Sequence, residues 1–100
     1  MIRVTKTFIK PDASTDLWFN TPAGAEFSVY RLETYGSKIA NFTSAVSNDG
    51  LTYTFSVTWA SREEYDKMMA DPVIISSVQA RKDYHNQVGI FEGDNQIVNL

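Results

Sequence analysis

The chain is 100 residues long, 43% hydrophobic and 13% aromatic, enough apolar material for one domain with a single core and no need of disulfides or metal. Nine basic and 12 acidic side chains leave a formal net charge of -3, which lacks the electrostatic footprint of a nucleic-acid or anionic-membrane binder. Zero cysteine removes disulfides, thiol nucleophiles and thiolate metal sites, and with no membrane-length apolar run and no signal-type start a cytoplasmic protein is expected.

Ile2, Val4 and Phe8 alternate with Arg3, Thr5, Thr7 and Ile9, so a first strand is predicted over residues 2 to 10, ended by Pro11. Residues 12 to 20 carry turn formers around Leu17-Trp18-Phe19 and suit either a loop or a short helical turn. Thr21 and Pro22 start a helix that runs to Tyr35, with Gly36 as its left-handed cap and Ala23, Phe27, Tyr30 and Tyr35 as its inward stripe. Residues 38 to 47 alternate again, and Asn48-Asp49-Gly50 supplies the turn of a hairpin.

In the next strand Leu51, Tyr53, Phe55, Val57 and Trp59 face one way, and Thr52, Thr54, Ser56 and Thr58 the other. Ser61-Arg62-Glu63-Glu64 reads as a capping box that opens a helix. Asp71-Pro72 interrupts that helix and starts a second segment from Val73 towards Gln87. Residues 88 to 92 form a short apolar strand, Gly93-Asp94-Asn95 a turn, and residues 96 to 100 an apolar tail that needs a pairing partner.

The order β, α, β, β, α, β predicts a single α+β domain over residues 1 to 100. Its fold class is a ferredoxin-like βαββαβ two-layer sandwich, with a four-stranded antiparallel sheet, both helices on one face, and the first and third strands central. At Val57-Thr58-Trp59-Ala60-Ser61, followed by Glu64-Tyr65 and then Asp71, the chain resembles the dimeric α+β barrel superfamily, which includes antibiotic-biosynthesis monooxygenases and haem-degrading enzymes. The resemblance implies a barrel-like homodimer and makes Trp59 look like the family's strand-end tryptophan. In the haem-degrading branch an axial histidine would fall near Ser77 and an asparagine on the first strand, where this chain has Thr5 and Thr7. Both are missing, and no cofactor is expected.

His85, the only imidazole, is the candidate catalytic residue, a general base near Asp83, set against the plain reading of an exposed ring favoured by a helix C-terminus. No serine joins it as a nucleophile, since Ser61, Ser76 and Ser77 are explained by capping and helix surface. Glu63, Glu64 and Asp66 lack any metal-ligand pattern, and the glycines form no phosphate loop, so no metal site is expected. The Thr and Ser face of the third strand lacks the stacking aromatics of an RNA-recognition sheet. Trp59, Tyr65 and Tyr84 are the candidate ligand-binding residues, with Trp18 and Phe19 searched beside them, because aromatic bodies with a polar handle line many small-ligand sites. The leading expectation is a non-enzymatic interaction or structural module, a homodimer open to a protein partner. The alternative is a cofactor-independent monooxygenase-like enzyme or small-molecule binder that uses Trp59 and His85.

Overall fold

In the computed structural model, which describes residues 1–100, the first alternating segment forms β1, Ile2–Ile9. Ile2, Val4, Lys6 and Phe8 are buried on one side of it, as the two-residue period of a strand requires. β2 spans Ile39–Val46 and β3 spans Thr52–Trp59. β3 pairs antiparallel with β1 from Ile2 opposite Trp59 to Ile9 opposite Thr52, and with β2 on its other side. The hairpin between β2 and β3 closes at Gly50, whose φ of 75° is one that glycine adopts cheaply.

β4, Phe91–Glu92, and β5, Gln96–Asn99, both lie antiparallel on the free edge of β1, β4 against Phe8 and Ile9 and β5 against Ile2 to Thr5. Two short strands therefore fill the fourth position of the sheet. The apolar tail finds its partner at home. β4 is shorter than the predicted strand because the preceding helix continues to Val88 and ends on Gly89, at a φ of 79°.

Three helices cover one face. α1, Pro22–Tyr35, is capped by Thr21, whose hydroxyl accepts from the Gly24 N–H at 3.2 Å. α2, Arg62–Met69, is capped by Ser61 through the Glu64 N–H, also at 3.2 Å. The predicted capping box is only half made, since the Glu64 carboxylate lies 3.7 Å from Lys67 instead. α3, Pro72–Val88, starts at Asp71, which accepts from the Val73 N–H at 2.8 Å. The other Asp71 oxygen takes the hydroxyls of Tyr30 at 2.7 Å and Tyr35 at 2.5 Å, and so ties α1 to the α2–α3 corner. No helix is long and apolar enough to cross a membrane.

Two local expectations are corrected. Gly36 has a right-handed φ of -57°, because the chain runs on into a 3-10 turn over Gly36–Lys38 instead of stopping. Ala23 is exposed and Gly24 is buried in its place, because α1 is pressed against a second 3-10 turn, Trp18–Asn20, which settles the open segment before it. Trp18 and Leu17 thereby enter the core. The main cluster joins Ile2, Val4, Val57 and Trp59 of the sheet to Trp18, Phe27, Tyr65, Met68 and Ile74 of the helical layer.

A Cβ on Gly24 would stand 2.0 Å from the Trp18 carbonyl oxygen. Alanine normally favours a helix over glycine by about 1 kcal/mol, so Gly24→Ala tests the contact by sign. Urea unfolding should show a loss of roughly 2 to 3 kcal/mol from overpacking; a gain would mean that the turn and the helix do not touch in this way.

Candidate functional site

Ile74, Val78, Arg81 and His85 recur along α3 at the spacing of a single helix face, and all four are buried or half-buried. Lys6 projects from the same face of β1 as Ile2, Val4 and Phe8, and Glu92 projects from β4 directly opposite Phe8. These placements bring four polar side chains together in the helix–sheet layer. Arg81 grips Glu92 with two bonds, Nη2 to Oε1 at 2.9 Å and Nε to Oε2 at 3.2 Å. Lys6 Nζ lies 3.3 Å from Oε1, and His85 Nδ1 lies 2.7 Å from Oε2.

His85 is only 1% exposed, contrary to the exposed ring of the plain sequence reading. Its Nε2 receives the backbone N–H of Trp18 at 3.1 Å. A backbone N–H can only donate, so Nε2 is the acceptor and the ring proton sits on Nδ1, given to Glu92. Both nitrogens are committed, and the role this geometry gives His85 is to tie the Trp18–Asn20 turn to Glu92. Burial would raise the Glu92 pKa, but the hydrogen bonds from His85 and Arg81 and the charges of Arg81 and Lys6 hold it down at about 2. Burial, followed by the charge of Arg81, pulls Lys6 below the usual ammonium value, while Glu92 opposes both.

Beside this cluster, between the sheet and α1, α2 and α3, lies a cavity of about 120 Å³. Trp59 and Tyr65 line it, with Val57, Phe55 and Met68 among the apolar residues, and the Trp59 and Tyr65 rings meet edge to face at 5.9 Å. Lys6, Arg31, Arg81 and Lys82 supply basic groups to its wall, which holds no acidic residue. Asn95, in the loop between β4 and β5, donates to the Tyr65 hydroxyl at 3.2 Å, which leaves that hydroxyl's own proton free for a ligand. Tyr84 stands apart from the cavity and donates to the Asp16 carbonyl at 2.8 Å. Among the residues that come together here, Lys6, Arg31, Arg81 and Glu92 escape a motif search. A lysine in phase with Ile2, Val4 and Phe8 is the one signal in the sequence that could have found part of the set.

No protein-family model matches the sequence, and no curated protein matches it. Among solved structures, SnoaB, a cofactor-independent oxygenase from Streptomyces nogalater, matches 99% of this chain and 91% of its own, with a TM-score of 0.61 at 12% identity. A mutant of SnoaB matches equally well. A protein from Deinococcus radiodurans proposed to be an antibiotic biosynthesis monooxygenase matches 98% of this chain and 88% of its own, with a TM-score of 0.51 at 9% identity. The fold is the α+β, ferredoxin-like fold of these structures. What is shared at these identities is the path of the backbone. The expectation of a non-enzymatic interaction or structural module is corrected here, because the nearly full-length likeness is to oxygenases and the layer between helices and sheet holds a lined cavity.

The depressed Glu92 pKa has a consequence for acid stability. The carboxylate stabilises the fold above its ordinary value of 4.5, and that contribution is lost as the pH falls through about 2. Wild-type protein should lose roughly 2 to 3 kcal/mol from this group between about pH 5 and pH 2. Glu92→Gln should be less stable by roughly 3 kcal/mol at neutral pH and much flatter over the acid range, as measured by denaturant unfolding at a series of pH values. Equal acid slopes in both proteins would remove Glu92 from this role.

Proposed function

We propose that this chain is a small-molecule enzyme of the cofactor-independent monooxygenase type, with the cavity under Trp59 as its substrate site. The observation that carries the reading is that cavity, walled by Trp59 and Tyr65, in a chain that follows an oxygenase fold from end to end. Without a cofactor the electrons for dioxygen have to come from the substrate, which favours an electron-rich ring able to lose a proton. Trp59 offers an aromatic face to such a ring, Tyr65 a hydroxyl proton, and the basic side chains favour the deprotonated form. A binder that performs no chemistry is the second reading, favoured by the commitment of both His85 nitrogens inside the fold.

Val78 is half-buried on the cavity wall, so Val78→Phe fills the space without removing a polar group. Binding of phloroglucinol, followed by calorimetry, should weaken at least tenfold in this variant while the melting temperature holds. Undiminished binding would move the site elsewhere. Incorporation of labelled dioxygen into phloroglucinol above the protein-free rate supports the oxygenase, whereas binding with no incorporation supports the binder.

We also propose that the far face of the sheet meets a second copy of the chain. That face is small and polar at its centre, where Thr5 bonds Ser56 at 2.9 Å and Thr7 bonds Thr54 at 3.2 Å. Ile9, Phe91 and Val98 frame it, exposed at 43%, 62% and 47%. Thr54→Lys would leave an unpaired ammonium in such an interface at a cost of several kcal/mol. Light scattering across a dilution series should show a shift to monomer, and an unchanged mass would refute the face-to-face pair.

A further inference from the structure

We propose that the cavity takes a monocyclic aromatic carboxylate, or an acid of similar size, and that Arg31 is the side chain that receives the carboxylate. The inference rests on the cavity being a ligand site and goes further by fixing the size and charge of the ligand.

Size comes from the volume. At about 120 Å³ the space is close to the engineered cavity of about 150 Å³ that holds benzene, which suits one ring. Ten of the fifteen residues around it are hydrophobic, so an inorganic anion would leave most of the wall without a partner.

Charge comes from an imbalance. The wall carries four basic side chains and no acidic one in a chain whose net charge is -3. Glu92 answers two of the four, since it pairs with Lys6 and Arg81. Lys82 is exposed and solvated. Arg31 is different: it is half-buried and makes no hydrogen bond or ion pair with the protein, and its guanidinium lies 5.6 Å from the centre of the Phe27 ring. That stacking steadies the plane of the guanidinium and leaves its N–H donors unused. Burial lowers the Arg31 pKa, the neighbouring Tyr53 acts against this, and the charge of Arg81 adds to the lowering. A planar carboxylate matches the guanidinium fork with two parallel bonds and offsets the desolvation, while Phe27, Phe55 and Trp59 contact the ring.

The test compares benzoate with benzamide, which has nearly the same shape and no charge, by calorimetry and by the shift of the Trp59 indole N–H signal. Wild-type protein should bind benzoate at least tenfold more tightly. Arg31→Gln should abolish that preference and leave benzamide binding unchanged, and Arg31→Lys should keep part of it. If Arg31→Gln does not fold, added salt takes its place and should narrow the preference in the wild type. Benzamide binding as tightly as benzoate, or a preference that survives Arg31→Gln, overturns the inference and leaves the cavity as a ligand site. Failure of both compounds to bind overturns both readings.

Discussion

The arrangement of this molecule turns on one carboxylate. Glu92 sits on the edge of the sheet and accepts from α3 twice over, through Arg81 and His85, while Lys6 approaches it from the central strand. Because His85 passes the connection on to the Trp18 backbone, the same group also fixes the turn against which α1 is pressed. Burying an ion in this way costs several kcal/mol before its partners are counted. Here every oxygen lone pair that matters has a donor, and no buried side-chain nitrogen or oxygen is left without a partner. Sheet, last helix and first helix are thus held in one register by polar bonds, which are directional in a way that the surrounding apolar contacts are not.

Directional support of that kind suits a core that is incompletely filled. A hollow of about 120 Å³ leaves the side chains around it without part of their packing contacts, which matters in a small domain of marginal stability. Packing alone would tend to close it. The polar cluster forms one side of the void and the Tyr30–Tyr35–Asp71 bonds brace the helical layer near another, so the walls are set by bonds whose lengths do not shorten to fill space. The fold thus keeps a braced, aromatic-lined hollow at some cost in stability.

Much of the fold was legible because its signals are local. The alternation over β1 and β3, the Asn48-Asp49-Gly50 turn and the caps at Thr21, Ser61 and Asp71 each depend on a few neighbouring residues, and the topology follows from their order. Gly36 was misread because a glycine after a helix has two uses, a stop or a passage into another turn, and only the position of Ile39 on the sheet decides between them. Gly24 was missed for a related reason, since its value lies in a contact with Trp18 that no periodicity records. The site was less legible still. Trp59 and Tyr65 could be proposed from type and place, yet Lys6, Arg31, Arg81 and Glu92 lie on separate elements and gain meaning only when the strand register and the α3 stripe bring them to one layer. A sole histidine invites a catalytic reading, and what distinguishes it here is a bond from a backbone 67 residues away.

The division of the sheet edge into β4 and β5 leaves a three-residue loop beside this hollow. A continuous fourth strand would pair with β1 from end to end, whereas the loop between the two pieces puts exposed Asn95 on the cavity wall, together with exposed Met69 and Lys82. The loop is joined to α2 there by the Asn95–Tyr65 bond, a single neutral hydrogen bond worth about 1 kcal/mol. At this point the edge is held to the helical layer by one side-chain bond, where a continuous strand would be held along its length by ladder pairing to β1.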